Sequence, residues 1–316
     1  MTPRHCEVVA VTGAAGFIGG HLLRHLLDLP EPPGRIVAID LREGLRDPRV
    51  VWVPCDLTDA GAVRTVLAET VPDAIAHLAG ASAGDDLEAC FAVNVLACRN
   101  LLASAARMAR PPRVLVVGSA AEYGITAGGE EVVDESRPLL ATTPYGVTKT
   151  LQEAWALLYA RRGTVPVVAV RPFNIMGPGQ PASLVPAAFL RQVADVLDGK
   201  AGEIRVGNTD TRRDFIDVRD VAAAMAALLS AGEGVVGRVF NVASGATVRI
   251  GNMLEACIGL SGRRIPVRRD PARVRAADGP MIVGDASALR AAVGWRPGIP
   301  WPESLQSMWQ AMRKTP

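Results

Sequence analysis

Long apolar runs are missing from this chain of 316 residues. Its longest alanine-rich stretch, Val221 to Leu229, is far too short to cross a bilayer, so no membrane partner is expected. No secretory leader is expected either, because glycines interrupt the first apolar run and it gives way to a segment carrying His21, Arg24 and His25. Charge of one sign is not in excess: 34 Lys and Arg face 32 Asp and Glu, a net charge of +2, and nothing in that balance points to nucleic acid. The short pairs Arg263-Arg264 and Arg268-Arg269 read either as solvated surface or as a local phosphate site. The five cysteines, Cys6, Cys55, Cys90, Cys98 and Cys257, include no CxxC spacing, and several lie in apolar runs where a thiol acts as a small hydrophobe. A reducing, cytoplasmic compartment and no metal site are the expectations. No internal repeat or low-complexity segment is evident.

What is present starts at Glu7-Val8-Val9-Ala10-Val11, a buried-strand pattern that breaks at Thr12. Gly13-Ala14-Ala15-Gly16-Phe17-Ile18-Gly19 then makes a G-x-x-G-x-x-G turn and opens a helix through Leu22, Leu23, Leu26 and Leu27. Gly13 allows the tight turn, Gly16 removes a side chain that would hold the backbone off a pyrophosphate, and Gly19 lets helix and strand approach. The helix start adds free N–H groups and the positive end of its dipole. A second strand, Arg35 to Asp40, ends in an acid about twenty residues beyond the turn, where an adenosine ribose would be held. Asp40 repels a 2′-phosphate and favours NAD(H), while Arg42 and Arg46 nearby leave NADP(H) possible.

Strand and helix patterns go on alternating. Strands are expected at Val50–Val53, Ala74–Leu78, Arg113–Gly118 and Val167–Arg171, with helices from Thr58 or Asp59 to Thr70, Asp86–Met108 and Tyr145–Arg162. This alternation predicts an α/β fold of the Rossmann type, a doubly wound parallel sheet whose ligands gather at the strand ends. Asp56 and Leu57, and Leu78, Ala79 and Gly80, fall just past strand ends and are candidates for the cofactor wall; Asp56 reads equally as a helix-entry acid. After Pro172 the pattern breaks at Gly177, Pro178, Gly179, Pro181 and Pro186. The expected organisation is a dinucleotide-binding domain over 1–171, rejoined around 214–242, and a smaller mixed α/β lobe over 172–316. That lobe is expected to hold a helix near Ser183–Asp198, a helix Val218–Ser230, a strand Val239–Val242 and a last helix over Glu303–Arg313.

Ser119 closes the fifth strand, Tyr145 opens a helix, and Lys149 follows one turn later on the same face. An ammonium and a cationic nicotinamide near the phenol would both favour its ionised form, which makes Tyr145 a usable acid or base. Lys149 can also hold ribose hydroxyls, and Ser119 can donate to a carbonyl oxygen as charge develops there.

With TGAAGFIGGHL, HLAG, GSAAEYG, PYGVTK, RPFN, RRDFIDVRD, FNVASG and GWRP in order, the chain resembles the extended short-chain dehydrogenase/reductases, in their nucleotide-sugar epimerase/dehydratase/reductase branch. The resemblance covers nearly the whole length. It implies Tyr145 as general acid/base, Lys149 as its partner and ribose ligand, Ser119 as carbonyl donor, and Pro172 beside the cofactor. The segments Arg171–Gln180, Val206–Val221 and Arg273–Asp285 look most like those of GDP-4-keto-6-deoxymannose reductases, which make GDP-rhamnose. Related dehydratases match a Thr-Ser/Asp-Glu triplet to the positions of Ser119-Ala120-Ala121, and neither alanine can supply the acid or base that water elimination needs. Glu122 is read as a structural acid.

The same match implies substrate roles for Asn174, Arg213, Arg275 and Asp278, on the sugar diphosphate, the phosphates and the nucleoside ribose. Each has a plainer reading: Asn174 as a turn residue, Arg213 as a bridge to Asp214 or Asp217, Arg275 and Asp278 as a surface pair. Ala276 stands where the family carries a proline. Lys200 reads as a nucleotide-side lysine or an exposed helix-end cation. The helices Asp86–Met108 and Tyr145–Arg162 are apolar on more than one face, for either a four-helix homodimer interface or core packing. The expected activity is NAD(P)H-dependent reduction of a nucleotide-linked 4-keto-6-deoxyhexose, with an NAD-dependent 4-epimerase and a non-catalytic dinucleotide sensor as the alternatives.

Overall fold

Short valine-rich runs alternating with helices can bury both faces of a strand only inside a layered sheet. The computed structural model of the chain, which describes residues 6–81, 86–124, 131–273 and 282–314, has that arrangement. In chain order it begins β1 (Val8–Thr12), α1 (Phe17–Leu27), β2 (Arg35–Asp40), β3 (Val50–Pro54), α2 (Ala60–Thr70) and β4 (Ala74–His77). One helical run follows as α3 (Leu87–Phe91), a π turn (Ala92–Leu96) and α4 (Ala97–Ala105); then come β5 (Arg113–Val117), β6 (Glu131–Val133), α5 (Pro144–Arg161) and β7 (Val167–Pro172). Next are β8 (Asn174–Met176), α6 (Ala187–Leu197), β9 (Ile204–Val206), β10 (Arg212–Asp217), α7 (Val218–Ser230) and β11 (Val239–Val242). The chain closes with β12 (Thr247–Arg249), α8 (Ile250–Gly259), β13 (Val267–Arg269), β14 (Ile282–Gly284), α9 (Ser287–Val293) and α10 (Trp301–Lys314).

Seven of these strands form the main sheet in the order β11-β7-β5-β4-β1-β2-β3, every pair parallel. The order reverses between β1 and β4, so the crevice beyond their carboxyl ends opens where β1 hands over to α1. One face carries α1 and α7 over Val9, Val11, Leu115 and Val168; the other carries α2, α4 and α5 over Val37, Ile75, Val114 and Val116. The run Leu87–Ala105 is long and apolar enough to cross a membrane by length and composition, but here it packs against α2 and α5 as part of that second layer.

The remaining strands are short. β8, β10 and β12 form a small mixed sheet, β9 pairs with β13, and β6 pairs with β14. A separate core of Phe189, Val193, Ile204, Phe215, Met253 and Cys257 fills this second lobe. The chain rejoins the main sheet through α7 and β11, and it comes back once more: Ala286, Leu289 and Trp295 pack into the α1/α7 core. Trp295 donates its indole N–H to the Asp220 carbonyl at 3.0 Å, so the Gly-Trp-Arg-Pro segment is a clamp across α7 rather than part of the second lobe. Helix α6 starts at Ala187, later than expected from Ser183, with Pro186 at its N-cap.

Candidate active site

The glycine turn is shaped by backbone contact. Gly13 has φ +65°, and a Cβ there would lie 2.6 Å from the Ala79 amide nitrogen; on Gly19 it would lie 2.8 Å from the Ala14 Cα. Gly16 is the N-cap of α1 with no side-chain cap, and the first helical turn carries no acid. A helix start left without its own anion, under a loop that admits no side chains, fits the pyrophosphate of a dinucleotide. Phe17 stands edge-on to His21, with ring centroids 5.6 Å apart, and Ile18 packs against the α1/α7 core.

Asp40 sits at the end of β2, and its carboxylate is engaged by the loop itself. It accepts the N–H groups of Ala15 at 3.0 Å, Leu41 at 2.7 Å and Arg42 at 3.3 Å. Asp56 is exposed and accepts both the backbone N–H and the hydroxyl of Thr58, which hold its carboxyl below the usual range; Asp59 is the cap of α2. Leu57 is buried and its carbonyl accepts from Asn100. Leu78, Ala79 and Gly80 follow β4, and the Ala79 N–H donates to Thr12 Oγ1 at 3.3 Å. Pro172 is buried at the end of β7, opposite Val242.

Ser119, Tyr145 and Lys149 converge beyond β5, β4 and β7. Thr143 caps α5 and Pro144 starts it, which fixes where Tyr145 and Lys149 emerge. Ser119 hydrogen-bonds the Tyr145 phenol, and Lys149 Nζ lies 5.9 Å from the Tyr145 ring centroid. The ammonium has two hydrogen-bond partners of its own. It donates to the Val117 carbonyl and to Gln152 Oε1, both at 2.9 Å, while burial pushes the Tyr145 phenol above its ordinary pKa against the Ser119 hydrogen bond. Burial also lowers Lys149 to about 8.

Glu122 turns back from this surface. Its Oε1 accepts the Ser119 N–H at 2.6 Å, and Ser119 Oγ accepts the Ala121 N–H at 3.1 Å. Sequence reading passed over Asn94, which stands in the π turn as an amide inside the apolar run Phe91-Ala92-Val93-Asn94-Val95-Leu96; that interruption was its one signal. Asn94 exchanges two hydrogen bonds with Ala81 and donates to Thr148 Oγ1, tying the loop after β4 to α5. A Cβ on Gly80 would lie 3.1 Å from Asn94 Oδ1 and 3.2 Å from Lys149 Nζ, so a side chain there would press on both groups.

A cleft of about 860 Å³ opens in the second lobe, lined by Ala121, Asn174, Gln180, Arg205, Arg213 and Arg273 among others. Ala121 belongs to the Ser119 turn, so the cleft reaches that turn. Asn174 donates to the Asp214 carbonyl at 2.9 Å and Arg213 donates to the Arg212 carbonyl at 2.8 Å. The acids beside Arg213 have other partners. Asp214 accepts from Ser244, Gly245 and Gly284, and Asp217 is bridged by Arg219. Lys200 is an exposed cation paired with Asp198. Arg275 and Asp278 lie outside the described residues.

A family model for the NAD dependent epimerase/dehydratase family matches residues 9–243. The chain belongs to the NAD-dependent epimerase/dehydratase family. Within that family it is similar to the GDP-6-deoxy-D-mannose reductase of Pseudomonas aeruginosa, at 32% identity over 303 residues and 94% of each chain. The structure of RMD from Pseudomonas aeruginosa complexed with NADPH superposes with a TM-score of 0.82 at 29% identity, covering 96% of this chain and 98% of that one. The UDP-glucose 4-epimerase of Thermus thermophilus in complex with NAD reaches 0.84 at 26% identity, covering 98% and 100%. The main sheet here is of the Rossmann type, with the glycine turn at its switch point, and the fold superposes on those two structures.

Proposed function

We propose that this family member is an NAD(P)H-dependent nucleotide-sugar reductase that turns the C4 ketone of a GDP-linked 4-keto-6-deoxyhexose into an alcohol of the GDP-rhamnose type. The observation that carries the reading is the half-buried Ser119–Tyr145 pair sharing the Ala121 wall with the cleft that holds Asn174 and Arg213. The similarity to a GDP-6-deoxy-D-mannose reductase supports the substrate class.

Reduction needs a hydride at C4 and a proton at its oxygen; when bound, the reduced dinucleotide supplies the hydride. Gly13, Gly16 and Gly19 would admit its pyrophosphate, Asp40 and Lys149 its ribose hydroxyls, and Asp56, Leu57, Leu78 to Gly80 and Pro172 would wall it in. Asp40 favours NAD(H), and the relative bound to NADPH supports NADP(H) as well. Tyr145, its phenol raised by burial, stays protonated near neutral pH and gives that proton to the C4 oxygen. Ser119 donates to the same oxygen as negative charge grows there. Asn174 and Arg213 hold the diphosphate, the guanidinium as a forked donor. Ala120 and Ala121 provide no acid or base for eliminating water.

In this reading residues 1–171 with α7 and β11 serve the cofactor, and most of 172–316 serves the sugar nucleotide. Leu87 and Phe91 on α3 and Leu151 and Trp155 on α5 are exposed apolar side chains on touching helices, which supports a homodimer closed by a four-helix bundle. Five free cysteines support a cytoplasmic location.

The test follows the near-ultraviolet absorbance of NADH and NADPH against GDP-, dTDP- and UDP-linked 4-keto-6-deoxy sugars. One cofactor oxidised per GDP sugar is the expected result. Interconversion of C4 stereoisomers with tightly retained dinucleotide and no net oxidation would replace the reading with a 4-epimerase. Absence of turnover with every sugar nucleotide would leave a dinucleotide sensor.

A further inference from the structure

An acid that only caps a turn has no need to be buried. Asp59 and Asp86, the caps of α2 and α3, are exposed, whereas Glu122 has no accessible surface. Its Oε1 takes the Ser119 N–H, and its Oε2 has no hydrogen-bond partner among the described residues. The nearest cation among the described residues is Arg171, with Nε 3.7 Å from Oε2, and Arg171 is committed elsewhere. It forks onto Glu153 at 2.8 and 2.6 Å and donates to the Tyr123 hydroxyl at 3.0 Å. Two buried carboxylates therefore share one guanidinium directly behind the Ser119 turn.

We propose that Glu122 is a positioning residue of the reaction: it seats Ser119 from behind, and its charge governs how readily Tyr145 and Lys149 exchange protons.

The groups that face it come from every neighbouring element. Helix α5 brings Tyr145, Lys149 and Glu153, β7 brings Arg171, and its own turn brings Ser119 and Tyr123. Burial, then the charge of Glu153, lifts the Glu122 carboxyl from 4.5 to about 8. Near neutral pH it is uncharged, and Tyr145 works without an anion behind it. Once Glu122 ionises, its charge raises both the phenol and the ammonium. No proton leaves Glu122 in the reaction. The Tyr145 O–H bond breaks, the bond from that proton to the C4 oxygen forms, and the phenolate regains a proton from solvent.

The kinetic arm of the test rests on the reductase reading; the spectroscopic arm does not. Glu122→Gln keeps an oxygen for the Ser119 N–H and removes the charge, and Glu122→Ala removes both. Ultraviolet titration of the chain's three tyrosines, with Tyr145→Phe assigning the signal, reads the phenol directly. The Tyr145 transition is expected to fall by about half a pH unit or more in Glu122→Gln, and a shift under about 0.2 would overturn the proposal. In turnover, the alkaline limb of kcat moves to lower pH in Glu122→Gln, and Glu122→Ala loses roughly 10-fold more in kcat with KM little changed. Wild-type pH limbs and kcat in both variants would reduce Glu122 to a turn acid and overturn it. Should the alanine variant not fold, the glutamine variant decides; should wild type reduce no keto sugar, the reductase reading fails and the phenol titration still decides Glu122.

Discussion

At the end of β1 the glycine turn presents backbone, in a loop packed so closely that a Cβ on Gly13 or Gly19 would run into main-chain atoms. The cleft in the second lobe is instead lined by side chains, among them Arg205 and Arg273, which are 55% and 52% exposed. The cradle cannot yield, because the obstacles are peptide groups fixed by β1, β4 and α1. The cleft can, because its cations sit on flexible stems in a polar rim. One region should fail abruptly on substitution and the other by degrees.

The strongest way to break this contrast is Gly19→Ala. Overpacking against the Ala14 backbone costs about 1–3 kcal/mol, which should appear as a roughly 10- to 100-fold loss in dinucleotide affinity by fluorescence titration. An unchanged affinity would show that the loop yields after all. Arg113→Met probes what lies under the cradle. Its fully buried guanidinium caps the carbonyl end of α7, bonding Leu228, Leu229, Ala231 and Gly232, and α7 packs against α1. Urea unfolding should show a loss of about 2 kcal/mol with kcat retained in the folded fraction. On the cleft side, Arg213→Met should raise KM for the sugar nucleotide about 10-fold and leave kcat within about 2-fold. A collapse in kcat would place Arg213 at the chemistry instead.

A separate effect is on pH. Glu122 is raised in the folded chain to about 8 from 4.5, so between those values the native state holds a proton that the unfolded chain has released. Stability should therefore decline as pH rises through that window, and Glu122→Gln should flatten the decline in urea midpoints. An identical slope in both proteins would contradict it.

The cradle was legible because its signals are local: glycine spacing, an apolar run before it, an acid after the next strand. Tyr145 and Lys149 were legible for the same reason, one helical turn apart on α5. What escaped lies between distant segments. The Lys149 ammonium turns to the Val117 carbonyl, thirty-two positions away in sequence. Strands β6 and β14 pair across more than a hundred positions with three residues each, too few for any period to show. Arg171, read only as part of the Arg-Pro-Phe-Asn motif, is the centre of the buried network behind Ser119. Trp295 clamps α7 through a side-chain donor whose target, the Asp220 carbonyl, no sequence pattern announces.

The most direct measurement compares wild type with Tyr145→Phe in two readouts on the same preparations, dinucleotide binding and turnover of the GDP-linked keto sugar. Matching affinities, within about 3-fold, are expected beside a fall in kcat of ~100-fold or more. Turnover preserved in the phenylalanine variant would contradict it.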